Sequence, residues 1–161
     1  MSPSTSTGSG RGSVLVATDG SRCAGLAVSS AIAEALATGQ ALDIVSVSIP
    51  LSPLVPAIPV TRVERYGGAR SVVDGAAREA AEAGVAEVRT HTPHGDPAVE
   101  IRRLAFAQQP DRIFVGRYGE STEMTGLFGR VARVLAGDDA LTITIVGGRP
   151  FGRKVAPGAG S

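Results

Sequence analysis

Five short runs of β-branched and other apolar residues recur along the chain, separated by longer stretches with helical spacing. The runs are Ser13–Thr18, Leu42–Ser48, Ala86–Thr92, Arg112–Gly116 and Leu141–Val146. Runs of this length bounded by Gly, Pro or Asp predict strands. The first and fourth are almost wholly apolar, the pattern of strands covered on both faces. The intervening segments predict helices over about Cys23–Thr38, Ala69–Ala83, Asp96 onward and Leu127–Ala136. In the second, Val72, Val73, Ala76, Ala77, Ala80 and Ala81 form an apolar stripe of period near 3.6. In the third, Asp96 is a candidate N-cap with Pro97 in the first turn, and Ile101, Leu104 and Ala105 face inward. Gly39, Gly84 and Gly137 stand where three of these helices should stop.

Strict alternation of strand and helix demands a parallel sheet with right-handed crossovers. The expectation is one Rossmann-like, doubly wound α/β domain: a five-stranded parallel sheet, order 3-2-1-4-5, with helices on both faces. Such sheets hold ligands at the carboxyl edge, where the winding reverses. Here that reversal falls between the first and fourth strands. The loops after Thr18 and after Val115 therefore flank the expected crevice.

The first of these loops reads Thr18-Asp19-Gly20-Ser21. A carboxylate at a strand tip can accept hydrogen bonds from an amino group or a ribose hydroxyl, and Asp-Gly-Ser equally suits a turn or a helix cap. The second reads Gly116-Arg117-Tyr118-Gly119 and returns nine residues later as Gly129-Arg130. Gly116 and Gly119 leave room for a close approach to the backbone. Gly126 and Gly129 flank the start of the fourth predicted helix, where free N–H groups favour phosphate.

Composition narrows the chemistry. Hydrophobic residues make up 43% and charged residues 19%, a globular balance rather than a disordered one. The formal net charge of +1 offers no footprint for nucleic acid or an anionic membrane. Cys23 is the only cysteine, so no disulfide forms within the chain and a reducing, cytoplasmic setting fits. It reads as a small buried side chain near a helix start. The Ser/Thr/Gly-rich opening Met1–Gly12 does not read as a signal peptide, and no apolar run approaches membrane-spanning length. Lys154 is the only lysine, which removes the side chain that much phosphoryl chemistry uses. There is no Gly-x4-Gly-Lys-Ser/Thr motif and no Gly-x-Gly-x2-Gly after the first strand, which excludes a P-loop enzyme and disfavours a dinucleotide dehydrogenase. A receiver domain would need a lysine after the fifth strand. His91 and His94 read as a chance pair without further metal ligands, and Asp138-Asp139 as a turn. Pro50, Pro53, Pro56 and Pro59 recur every third residue, a spacing that suits a polyproline II docking ligand, but the preferred expectation is a stiff connector or a lid over the crevice edge. Residues 1–12 and 148–161 read as disordered tails around a domain over 13–147.

Three segments resemble the universal stress protein family: VLVATDGS, HGDPAVEI and VGRYGESTEMTGLFGRVARVL. In the last, Gly116, Gly119 and Gly129 fit the family's nucleotide pattern, Gly-x2-Gly-x9-Gly followed by Ser or Thr. The resemblance implies ATP, alone or with Mg, bound across the first and fourth strands, and a homodimer formed through the fifth. It places Ala17, Thr18, Asp19 and Val47 around the adenosine, Val115 and Gly116 along base and ribose, and Gly119, Gly129, Arg130 and Val131 at the phosphates. Arg130 departs from the pattern. A guanidinium either replaces the hydroxyl with a charged, bidentate fork or fills the pocket with its bulk. Retained binding is the preferred reading, because the three glycines would otherwise have no evident ligand. The function expected is an adenine-nucleotide-binding stress-response regulator. The alternatives are a nucleotide-free dimerisation module and a slow ATPase.

Overall fold

The computed structural model describes residues 12–48, 62–117 and 129–147. In chain order these form β1 (Ser13–Ala17), α1 (Arg22–Thr38), β2 (Ala41–Val45), α2 (Arg62–Ala83), β3 (Val88–His91), α3 (Pro97–Gln108), β4 (Arg112–Gly116), α4 (Arg130–Ala136) and β5 (Ile143–Val146). The strands make one sheet of order β3-β2-β1-β4-β5, and every neighbouring pair is parallel. The expected winding and its reversal between β1 and β4 are both present.

Alternation along the strands divides the core in two. Val14, Val16, Leu42, Ile44 and Phe114 point to the face covered by α1 and α2, against Ala27, Ala31, Val73 and Ala80. Leu15, Ala17, Val45, Ile113 and Val115 point to the opposite face, against Ile101, Ala105, Ala132 and Leu135 of α3 and α4. With both faces covered, β1 is buried from end to end, as its unbroken apolar run requires.

Local chemistry sets the element ends. The Ser21 hydroxyl caps α1 by accepting from the Ala24 amide, and Gly39 closes the helix with φ of 70°. Asp96 caps α3 by accepting from the Val99 amide, with Pro97 in the first turn. α3 ends on Gln109, a non-glycine residue in the left-handed region at φ of 49°.

Several boundaries differ from the sequence expectation. α2 begins at Arg62 rather than Ala69 and carries Gly67 and Gly68 within it. Glycine costs about 1 kcal/mol per residue in a helix interior, which is why the sequence pattern breaks there. Ala81 does not join the inner stripe; it is exposed, because it lies a further turn-fraction past buried Ala80. β2 ends at Val45, three residues early, although Ser48 pairs again with His94 through an isolated bridge. β3 and β5 are likewise shorter than their apolar runs, at Val88–His91 and Ile143–Val146. α4 is described from Arg130; the expected Leu127–Phe128 turn, Gly119, Gly126, the proline series and both tails beyond Gly12 and Gly147 lie outside the described residues.

Candidate functional site

The last paired residues of β1 and β4 are Val16 and Phe114; one step further come Ala17 and Val115. Both strands run the same way, so Thr18-Asp19 and Gly116-Arg117 leave the sheet side by side at its carboxyl edge. The two loops singled out in the sequence are thus adjacent.

The Asp19 loop is tightly built. The Gly20 amide donates to the Thr18 hydroxyl at 3.2 Å, and the Ser21 amide donates to the Asp19 carboxylate at 2.9 Å. Gly20 sits at φ of 83°, a conformation that L side chains rarely adopt. Thr18 is buried, while Asp19 is exposed at the strand tip. Its carboxylate therefore shapes the turn, on a residue exposed at the carboxyl edge.

Four apolar residues proposed for the site belong to one core cluster. Ala17 and Val115 are buried in the α3/α4 half of the core, and Val47 and Val131 pack partly against it. Their side chains are engaged in packing, so what Val115 and Val131 offer a ligand is backbone. Val47 follows the strand that aligns Val45 with Ala17.

Gly116 also has a packing role that its sequence context did not suggest. A Cβ there would lie 2.9 Å from the Ala24 amide nitrogen and 2.9 Å from the Cys23 carbonyl carbon. The missing side chain serves the close approach of β4 to the first turn of α1. Cys23 itself is buried, as expected of a small side chain near a helix start.

The start of α4 is tied directly to the end of β4. The Gly129 amide donates to the Arg117 carbonyl at 2.7 Å, which brings Arg130 to the same edge. Its guanidinium is turned toward α3: Nη1 donates to Asp96 Oδ2 at 3.0 Å, with both side chains substantially exposed. The Val99 amide, against the opposing effect of desolvation and with help from Arg130, holds the Asp96 carboxyl below the ordinary carboxylate range.

One charged cluster escaped the sequence reading. Asp43, in the middle of β2, is fully buried. Arg89 Nε and Nη2 donate to its two oxygens at 2.8 Å each, and His91 Nε2 lies 2.8 Å from Oδ1. The bond to Asp43 raises the Arg89 pKa, against the opposing effect of burial. The signal was present: a lone carboxylate inside an apolar, two-sided strand needs a partner, and Arg89 and His91 alternate onto one face of the next strand. The two histidines read as a pair go separate ways, since His94 Nδ1 meets the Ser48 hydroxyl at 3.1 Å. Among the described residues no group of three or more His, Cys, Asp or Glu is placed to hold a metal, and no helix is long and apolar enough to cross a membrane.

The universal stress protein family model matches residues 10–138. The chain belongs to the universal stress protein family. Solved members share its fold. A universal stress protein from Lactobacillus plantarum superposes with a TM-score of 0.71 at 17% identity, covering 84% of this chain and 98% of the other. A universal stress protein in complex with cAMP gives a TM-score of 0.64 at 29% identity, covering 84% and 96%. One from Archaeoglobus fulgidus in complex with dAMP gives 0.64 at 20% identity, covering 84% and 97%. No curated protein matches this universal stress protein.

Proposed function

We propose that this universal stress protein binds an adenine nucleotide, ATP foremost, at the carboxyl edge between β1 and β4, and acts as a regulator read by a protein partner. The observation that carries the reading is the adjacency of the exposed Asp19 tip and the β4 exit, joined there by the start of α4. A carboxylate suits ribose or exocyclic amine, the backbone at Val115 and Gly116 suits a flat base, and Arg130 supplies cationic donors for phosphate. The 29%-identical relative in complex with cAMP supports an adenine ligand for this architecture. Binding shifts a regulator only if two conformations hold the nucleotide unequally; the loops around this edge are the elements that would differ.

The nucleotide-free reading has one observation in its favour. Gly116 is accounted for by α1, and Arg130 already has Asp96 as partner, so neither requires a ligand to explain it. Mass spectrometry of small molecules released from freshly purified protein, followed by titration calorimetry with ATP, ADP, AMP and cAMP, separates the two. An adenine nucleotide recovered from the protein, or saturable binding in the calorimeter, is the expected result. Neither signal at millimolar nucleotide would leave the nucleotide-free reading standing.

A further inference from the structure

We infer that Asp96 and Arg130 form a displaceable latch that makes the site select polyphosphate nucleotides over cyclic monophosphates, an inference that rests on the nucleotide-binding reading above. The two residues come from different helices, at the first turn of α4 and the N-cap of α3, and meet at the carboxyl edge of the sheet. A guanidinium presents five donors in a planar fork. Among the described residues, Arg130 has one of them engaged, the Nη1 bond to Asp96. The pair is 59% and 41% exposed, so solvent screens it and a stronger anion can take the arginine away.

The two duties of Asp96 are carried by different oxygens. Oδ1 accepts from the Val99 amide as the helix cap, while Oδ2 accepts from Arg130. Arg130 can therefore leave without uncapping α3. Once released, its fork pairs best with an anion bearing several adjacent non-bridging oxygens and more than one charge. A di- or triphosphate chain offers that; a cyclic monophosphate carries a single charge on a constrained ring. Asp96 also opposes any anion brought near it. Only a ligand able to recruit Arg130 gains a cation that offsets this repulsion. Selection is thus a difference of affinities set by one attractive and one repulsive group.

Titration calorimetry of the full chain with ATP and with cAMP tests the latch, using Arg130→Ser, Arg130→Lys, Asp96→Asn and Asp96→Ser. Asn and Ser both keep an N-cap acceptor while removing the charge, and thermal melts establish that each variant is folded. Wild type is expected to favour ATP over cAMP by about tenfold or more, and Arg130→Ser to lose about tenfold in ATP affinity. Its cAMP affinity should fall by less, so that the preference for ATP over cAMP narrows. Arg130→Lys, which keeps charge without the fork, should fall between the two. The Asp96 variants should bind ATP several-fold more tightly. ATP binding should weaken with added salt more steeply than cAMP binding, and that difference should shrink in Arg130→Ser. ATP bound equally well by Arg130→Ser, or no tighter by the Asp96 variants, overturns the latch and leaves nucleotide binding intact. Wild type that binds neither nucleotide overturns both.

Discussion

Asp43 is the residue whose environment is least forgiving. Its carboxylate has no contact with solvent, and its charge is balanced from the edge strand by Arg89, which is 40% exposed, with His91 Nε2 at hydrogen-bond distance alongside. The pair is therefore asymmetric: one member is committed to the interior, and the other can turn to water. Removing Arg89 leaves a buried carboxylate with only His91, whereas removing Asp43 leaves two side chains that solvent can serve. Arg89→Met should accordingly destabilise by about 3 kcal/mol or more, and Asp43→Ala by roughly 1–3 kcal/mol. Joint replacement by Asp43→Leu and Arg89→Met should recover most of the loss, since an apolar pair needs no charge balance. Urea unfolding of the three variants measures these values, and an Arg89→Met protein no less stable than Asp43→Ala would contradict the asymmetry. A parallel strand at the sheet edge gains register from such a cluster, because a one-residue slip would turn Arg89 and His91 to the α2 side.

At the scale of elements, the contact between α1 and β4 sets how closely the two crevice loops lie. The first turn of α1 approaches β4 until only hydrogen fits at Gly116, and the atoms it meets are backbone, which cannot rotate away. Gly116→Ala should cost about 1–3 kcal/mol through overpacking, in nucleotide-free protein as much as in nucleotide-bound protein. A thermal melt of the variant without ligand checks this; an unchanged melting temperature would restore a purely ligand-directed role for that glycine. The same position shows where sequence reasoning reaches its limit. β1 and β4 were legible because their apolar runs are continuous, and Asp96-Pro97 because capping is local chemistry. The purpose of Gly116 was not, since a glycine that admits a ligand and one that admits a helix look alike in one dimension. Arg130 posed the same difficulty: its type was visible, but its partner lies 34 residues away on another helix. Asp43 was missed for a related reason, its partners being Arg89 and His91 on the neighbouring strand, 46 and 48 residues distant.

At the scale of the whole sheet, the two outer strands differ in a way that bears on assembly. β3 carries Arg89 and His91, with Glu87 just before it, and Arg89 is also paired with Glu87 at 3.3 Å. Charged side chains along an edge discourage pairing with another sheet. β5 reads Ile143-Thr144-Ile145-Val146, has no charge and no proline, and is only half-buried along its length. It hydrogen-bonds to β4 on one side, and its other side is the outer strand position of the sheet. An uncharged, partly apolar edge is the surface through which two copies can join about a two-fold axis. We therefore propose a homodimer paired through β5. Sedimentation at micromolar concentration should give the mass of two chains, and Thr144→Lys, which places a charge on that edge while leaving Ile143 and Ile145 against the α3/α4 core, should shift it toward one. Wild-type protein that sediments as a single chain would remove β5 from consideration. A dimer unaffected by Thr144→Lys would instead point to a different surface. Because β5 directly flanks β4, whose exit forms one wall of the proposed nucleotide site, a pairing there would give each site a neighbour whose spacing depends on the same strand.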